Sequence, residues 1–193
     1  MSARIVLVSP FPSDSEGFLV DKFLALLDAG FDVHLLTSRS DPHSRHPELA
    51  AVAGDVGRRI HDLGWRDVAA RLAGAAARPR IAGRIVAGEI RRGRVRDARL
   101  FHGLRLASLR PDLVHFEFGW YAEQLARTAS ILAVPTVVSL RGADLNYVGL
   151  DEPGHYDEVW STVDAVHCLG ADLWARAQRR GCPVEIRHVL IPP

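Results

Sequence analysis

The stretch RIVLVSPFPSDSEGFLVDKFLALLDAGFDVHLLT, residues 4–37, decides the fold. Ile5 to Val8 is a short unbroken apolar run, the pattern of a strand buried on both faces of a parallel sheet. It ends at Ser9-Pro10-Phe11-Pro12, where proline cannot donate to a ladder. Ser13, Asp14 and Ser15 then offer caps ahead of Phe18, Val20, Phe23, Leu24 and Leu27, which recur at helical spacing. Gly30 stops that helix, and Asp32 to Thr37 reads as a second strand. Strand, loop, helix, glycine and strand in this order make a βαβ unit, whose crossover is right-handed.

The same grammar returns from Asp112 onward. Asp112 to Phe116, Val134 to Leu140, Ala165 to Leu169 and a segment within Val184 to Ile191 read as strands. Trp120 to Leu132, Tyr156 to Val163 and Ala171 to Arg180 read as the helices between them, the last ended by Gly181. The middle, from about Pro42 to Arg110, has few β-branched clusters and is rich in Ala, Arg and Gly; it reads as two or three helices with breaks near Pro79 and Gly93. The expected fold class is therefore α/β: one domain over residues 1–193, with a doubly wound, mostly parallel Rossmann-like sheet, helices on both faces and a helical insertion at about 42–110.

Composition bounds the function classes. Cys168 and Cys182 form no CxxC pair and no disulfide framework, so a reducing compartment is expected. The N-terminus lacks a signal-peptide core, and no apolar run approaches the roughly eighteen residues of a membrane span. The expectation is a cytoplasmic protein. From Arg78 to Arg110, ten arginines stand against Glu89 and Asp97, a local excess of eight, so the remainder carries about minus seven for a net charge of +1. Interleaved with Ile81, Ile85, Val86, Ile90 and Val95, these arginines suit peripheral contact with an anionic inner-membrane surface or a lipid phosphate. A solvated helix face accounts for them nearly as well. No nucleic-acid partner is expected, because aromatics are absent from Arg78 to Leu100.

Ligands of open α/β sheets bind beyond the carboxyl ends of the strands, near the point where strand order reverses. Three unusual segments fall at such ends: Pro10 to Gly17, His115 to Trp120, and Arg141-Gly142-Ala143-Asp144-Leu145-Asn146. The first carries neither a GxGxxG fingerprint nor a P-loop, so Gly17 either lets backbone approach a phosphate or simply opens the helix. In the third, Arg141 offers a fork of donors suited to phosphate, and Asp144 an acceptor for sugar hydroxyls. An Arg141–Asp144 pair that merely braces the loop is the competing account. His115 and Glu117 alternate on a strand end and so share a face; with no third ligand at suitable spacing, no metal is expected. His34, His167 and His188 read as satisfied core or edge histidines.

In succession, DVHLLTS, PDLVHFEFG, VPTVVSLRGADLN, VDAVHCLGADLWARAQRRGCP and IRHVLIPP resemble the N-terminal half of family 4 retaining glycosyltransferases, which have the two-domain GT-B fold. The resemblance covers Ile5 to Thr37 and Pro111 to Pro193 and leaves the middle unmatched. It implies an acceptor-binding domain that meets a nucleotide-sugar donor held mainly by a second domain. It also implies sugar transfer with retention to a glycan or lipid-linked acceptor, without cofactor or metal. Gly17 matches the loop glycine near the donor phosphate, and Arg141 to Asp144 stands where many members carry His-Gly-x-Asp, with arginine in place of histidine. The implied catalytic residues are Arg141, Asp144 and His115; Glu16, Gly17, Glu117, Gly142 and Asn146 are the implied donor or acceptor contacts. The paired-glutamate motif of the second domain is missing, so the chain is expected to be a fragment, an excised domain or half of a split enzyme, inactive alone. Two readings compete: a non-catalytic binding module, and a nucleotide-dependent oxidoreductase or sugar-nucleotide epimerase, which the missing glycine fingerprint disfavours.

Overall fold

The computed structural model describes residues 2–10, 17–37, 59–62, 68–93 and 98–192. Among these residues seven strands run parallel in one sheet of order β3-β2-β1-β4-β5-β6-β7. They are β1 (Arg4–Ser9), β2 (Asp32–Thr37), β3 (Ile60–Asp62), β4 (Leu113–Phe116), β5 (Thr136–Leu140), β6 (Ala165–Cys168) and β7 (Arg187–Leu190). The order reverses between β1 and β4, which makes their shared carboxyl end the switch point of the doubly wound sheet.

The pleat divides the core in two. Val6, Val8, Val114, Phe116, Val138, Val166 and Cys168 point to one face, nearly or wholly excluded from solvent. That face is covered by α4 (Ala98–Ser108), α5 (Gly119–Leu132), α7 (Asp157–Trp160) and α8 (Ala171–Arg179), through residues such as Leu106, Leu125, Val159 and Leu173. Ile5, Leu7, Val33 and Leu35 point to the other face and meet Val20 and Phe23 of α1 (Gly17–Asp28). Leu19, Val20 and Phe23 are the buried positions of α1, the i, i+1, i+4 stripe of a helix lying on a sheet.

The middle segment holds α2 (Val68–Ala77) and α3 (Pro79–Arg91), which stack with α4 outside the sheet. Pro79 opens α3 at its first turn and Gly93 follows it with φ 69°, so both expected breaks are helix boundaries. Close approach of these helices needs glycine: a Cβ on Gly74 of α2 would lie 2.2 Å from the Ser108 Cβ, and one on Gly103 of α4 2.7 Å from the Thr128 Oγ1. Two expectations change. The segment also contributes β3, which pairs with Leu35 to Thr37 at the sheet edge and is too short and too polar to register as an apolar run. Residues 142–146, read as loop, form the short helix α6 (Gly142–Asn146). Among the described residues no helix is long and apolar enough to cross a membrane.

Candidate functional site

At the switch point β4 extends past Phe116, and the Glu117 N–H donates to the Val8 carbonyl of β1 at 2.9 Å. This fixes Glu117 between the ends of β1 and β5 with its side chain fully enclosed. Two cations approach that carboxylate. Lys22 of α1 donates from Nζ to Oε1 at 2.5 Å, and Arg141, just after β5, donates from Nη2 to Oε2 at 3.3 Å. The Arg141 Nε also reaches the Glu117 carbonyl at 3.3 Å, and its guanidinium lies 3.9 Å from the Phe18 ring centroid and 5.4 Å from that of Phe118. A planar cation stacked on aromatic faces is held in orientation as well as in charge. Two cations against one carboxylate leave a net positive charge at the switch point.

Burial pushes the Glu117 carboxyl up, but His115, Lys22 and Arg141 outweigh burial and hold it below the usual carboxylate range. Burial pulls the Lys22 ammonium down against the attraction of Glu117. The first shift favours an ionised pair and the second a neutral one. The carboxylate decides, because it is fully enclosed and has two cationic partners, whereas the Lys22 side chain keeps 28% of its exposure. The pair is ionised at neutral pH.

His115 lies two residues earlier on the same face, its Nε2 3.9 Å from the Glu117 Oε1, as the alternation required. Both of its ring nitrogens are 3.2 Å from the Lys22 Nζ. From His115 a hydrogen-bonded chain crosses the sheet: Nε2 to the Ser139 Oγ at 2.8 Å, then Ser139 to the His167 Nδ1 at 2.8 Å, then His167 to the Ile191 carbonyl at 3.4 Å. Burial holds His115 down to about 4, so it is neutral at pH 7. His167 is thus satisfied, as expected, but as one member of this chain.

Asp144 behaves otherwise than expected. It is completely buried, and its carboxylate faces the backbone: Oδ1 accepts from the Gly119 N–H at 2.7 Å and Oδ2 from the Arg141 N–H at 2.9 Å. It therefore closes the first turn of α6 and anchors the start of α5. Its own carbonyl is held by the Tyr156 hydroxyl at 3.1 Å and by Arg180 at 2.7 Å. Burial raises its pKa to about 6, against the pull of these backbone donors. It forms no side-chain pair with Arg141, whose guanidinium goes to Glu117. The bracing role is real, but it runs through backbone amides.

The other expected residues divide. Among the described residues a Cβ added at Gly17, the first residue of α1, would meet nothing within 4 Å, so no described neighbour demands glycine there. Gly142 begins α6 and would place a Cβ 3.6 Å from the Asn146 Nδ2, an ordinary contact. Asn146 accepts from Arg176 at the far end of α6 and does not join the cluster. Glu16 lies outside the described residues. Lys22 and Ser139 were not anticipated. Lys22 is the sole lysine in an arginine-rich chain, and that was the one available signal. Among the described residues no group of His, Cys, Asp and Glu is placed to hold a metal.

Of the arginine-rich segment, Arg92 pairs with Glu158, Arg99 with Glu123 at 2.9 Å, and Arg105 is buried against His61 at 2.9 Å. Arg80, Arg84 and Arg91 stand exposed on the outer face of α3.

No protein-family model and no curated protein matches the chain. Among solved structures it is similar to UDP-N-acetylglucosamine 2-epimerase from Rickettsia bellii, with a TM-score of 0.53 and 13% identity over 97% of this chain and 44% of that one. Glycyrrhiza uralensis UGT73P12, complexed with glycyrrhetinic acid 3-O-monoglucuronide, aligns at a TM-score of 0.47 and 13% identity, over 100% of this chain and 49% of that one. The first likeness establishes a shared Rossmann-like α/β fold; the second is too loose to carry an argument. The chain spans less than half the length of either protein.

Proposed function

We propose that this chain is the acceptor-side Rossmann-like domain of a GT-B sugar transferase, acting on a nucleotide-sugar donor held mainly by a second domain. The observation that carries the proposal is the net-positive cluster of Lys22, Glu117 and Arg141 at the β1/β4 switch point, beside the N-terminus of α1. That is where an open α/β sheet receives its ligands, and an anionic phosphate is the ligand such a cluster favours. The fold shared with a protein that processes a UDP-sugar supports the same placement.

In the proposed chemistry the glycosidic bond to the donor diphosphate breaks and a bond to an acceptor hydroxyl forms with retention. Negative charge grows on the leaving phosphate, and Arg141 and Lys22 stabilise it in a site partly shielded from water. Glu117 fixes both cations, so little reorganisation accompanies the reaction. Neutral His115, bonded to Ser139 and set against Lys22, positions that lysine at the cleft floor, and the donor phosphate receives the acceptor proton. Asp144 acts as a positioning residue that sets the starts of α5 and α6. The acceptor is a glycan or a lipid-linked sugar. Peripheral contact with an anionic membrane, where it occurs, falls to Arg80, Arg84 and Arg91 on α3.

A second reading, sugar-nucleotide epimerisation, is favoured by the activity of the Rickettsia bellii neighbour. One experiment separates them. The chain joined to a donor-binding second domain is given UDP- and GDP-sugars with and without acceptor, beside the isolated domain. Acceptor-dependent transfer by the joined protein, lost in Arg141→Ala and Lys22→Ala proteins that keep their fold, is the expected result. Acceptor-independent isomerisation, or full transfer by the isolated domain, overturns it.

A further inference from the structure

The hydrogen-bonded chain that leaves the site, Lys22–His115–Ser139–His167–Ile191, admits one arrangement of protons. Its far end is fixed by backbone: the Ile191 N–H donates to the Cys168 carbonyl at 3.0 Å, just past the β6–β7 ladder. A carbonyl only accepts, so the His167 Nε2 carries the hydrogen of its 3.4 Å contact with the Ile191 oxygen. In a neutral imidazole the other nitrogen is then bare, and the His167 Nδ1 accepts from the Ser139 hydroxyl at 2.8 Å. Ser139 has no second hydrogen to give. It accepts in turn from the His115 Nε2 at 2.8 Å, which leaves the His115 Nδ1 bare. That nitrogen lies 3.2 Å from the Lys22 Nζ, and an ammonium only donates.

The opposite order fails at both ends. A hydrogen on the His115 Nδ1 would face the Lys22 ammonium with no acceptor among the described residues, and a bare His167 Nε2 would face a carbonyl. Ser139, the middle link, is enclosed, so its hydroxyl must choose between the two imidazoles. One event upsets that choice. When the half-buried His167 takes up a proton, both of its nitrogens donate, and Ser139 must accept from Nδ1. The hydroxyl hydrogen then turns to the His115 Nε2, whose own hydrogen exchanges through solvent for one on Nδ1, or it is left without an acceptor. The first outcome turns an N–H on the Lys22 ammonium, and the second strands a buried donor. Either way the chain loses a bond.

We propose that Ser139 and His167 are positioning residues for Lys22: through the Nε2–H tautomer of His115 they present a lone pair to its ammonium, and protonation of His167 withdraws it. The device acts on Lys22 whatever its ligand; only its bearing on a donor phosphate rests on the transfer reading above. Burial holds His167 below its ordinary 6.5, opposed by the Ile191 carbonyl and Glu117 and aided by Lys22 and Arg141. His115, held down to about 4 by burial, stays neutral over the same range, so its tautomer responds and its charge does not. The lone pair is therefore fully presented above pH 6.5 and withdrawn as pH falls through the folded value of His167. Released from His115, the ammonium is held by Glu117 alone, with Arg141 repelling it.

Lys22 is the sole lysine, so the chain made with ¹⁵N-labelled lysine and histidine gives a single ammonium signal beside the imidazole signals. Long-range proton–nitrogen spectra are expected to show His115 and His167 as Nε2–H tautomers at about pH 7.5. As pH falls to about 5, the Lys22 signal and the His115 tautomer pattern are expected to shift together, at the midpoint of His167. His167→Asn keeps an acceptor at the Nδ1 position and cannot be charged; it is expected to keep the His115 tautomer and to abolish the Lys22 shift. Ser139→Ala is expected to mix the His115 tautomers and to uncouple Lys22 from His167, with circular dichroism unchanged. An Nδ1–H tautomer at His115 in the native chain at neutral pH overturns the proposal, and that measurement needs no variant. So does a Lys22 shift that persists in His167→Asn, or one undiminished in Ser139→Ala, the mark of a charge felt only through space. Transfer activity enters none of these measurements, so failure of the transfer reading leaves their outcome standing.

Discussion

Replacing Glu117 by glutamine keeps the shape of the side chain and removes the charge on which Lys22 and Arg141 converge. In the native chain the carboxylate is fully enclosed, while Lys22 and Arg141 retain 28% and 15% of their side-chain exposure. Breaking a buried ion pair by removing one partner costs about 3–5 kcal/mol, because the remaining charge is left uncompensated. Both cations here can partly recover water, so the lower figure, about 3 kcal/mol, applies. For a chain of this size that corresponds to a fall in Tm of about 6–12 °C. Urea unfolding followed by tryptophan fluorescence measures it. The pH dependence makes the prediction specific. Because the native Glu117 titrates below its ordinary 4.5, its contribution is complete above that value and is lost as pH falls through the folded value. The gap between native and variant proteins should therefore be constant from about pH 7 to 5.5 and close below about 4.5. Adding Lys22→Met to Glu117→Gln should recover part of the loss by removing one stranded cation. A difference under about 1 kcal/mol at pH 7, or one undiminished at pH 3.5, would refute the assignment of Glu117 as a buried counter-charge.

Three further outcomes follow from the same geometry. The depression of His115 from 6.5 to about 4 means that its stability contribution is present above pH 6.5 and lost as pH falls toward 4. It is worth about 3 kcal/mol, and His115→Gln should flatten acid titrations of stability in that window. Asp144→Ala strands the Gly119 and Arg141 amides and should cost about 2–6 kcal/mol in equilibrium unfolding. The raised pKa of Asp144, about 6, favours the folded state below 3.8 and loses that advantage as pH rises through 6; the penalty should accordingly be larger at pH 5 than at pH 7.5. Gly17→Ala meets nothing within 4 Å among the described residues and should stabilise the helix start by about 0.5–1 kcal/mol in thermal melts. If Gly17 serves phosphate approach, the same variant lowers donor affinity in the joined protein; unchanged affinity reduces the glycine to a helix opener.

Most of the fold was legible because its signals are local. Apolar runs, capping residues and the stops at Gly30, Gly93 and Gly181 act within a turn or a strand, so six of the seven strands and the major helices could be read residue by residue. The strand β3 was not, since Ile60-His61-Asp62 takes its strand character from pairing with β2 rather than from its own composition. The helix α6 was missed for a related reason: its capping carboxylate, Asp144, is oriented by an amide 25 residues away in Gly119.

The amino-acid order by itself also placed Glu117 and Arg141 at strand ends and His115 on the face of Glu117, because alternation is a property of a single strand. What it did not contain was the order of the strands. Only the sheet, by setting β1 and β5 on either side of β4, carries Lys22 to a carboxylate 95 residues distant and Arg141 to the same group from 24 residues away. Whether a polar residue faces a cleft or the backbone was likewise a tertiary decision. Arg141 and Asp144 are three positions apart, yet one stacks on Phe18 over the switch point while the other is enclosed beneath it. Local sequence sets which bonds a residue can make, and the packing of distant segments determines which of them water leaves it to make.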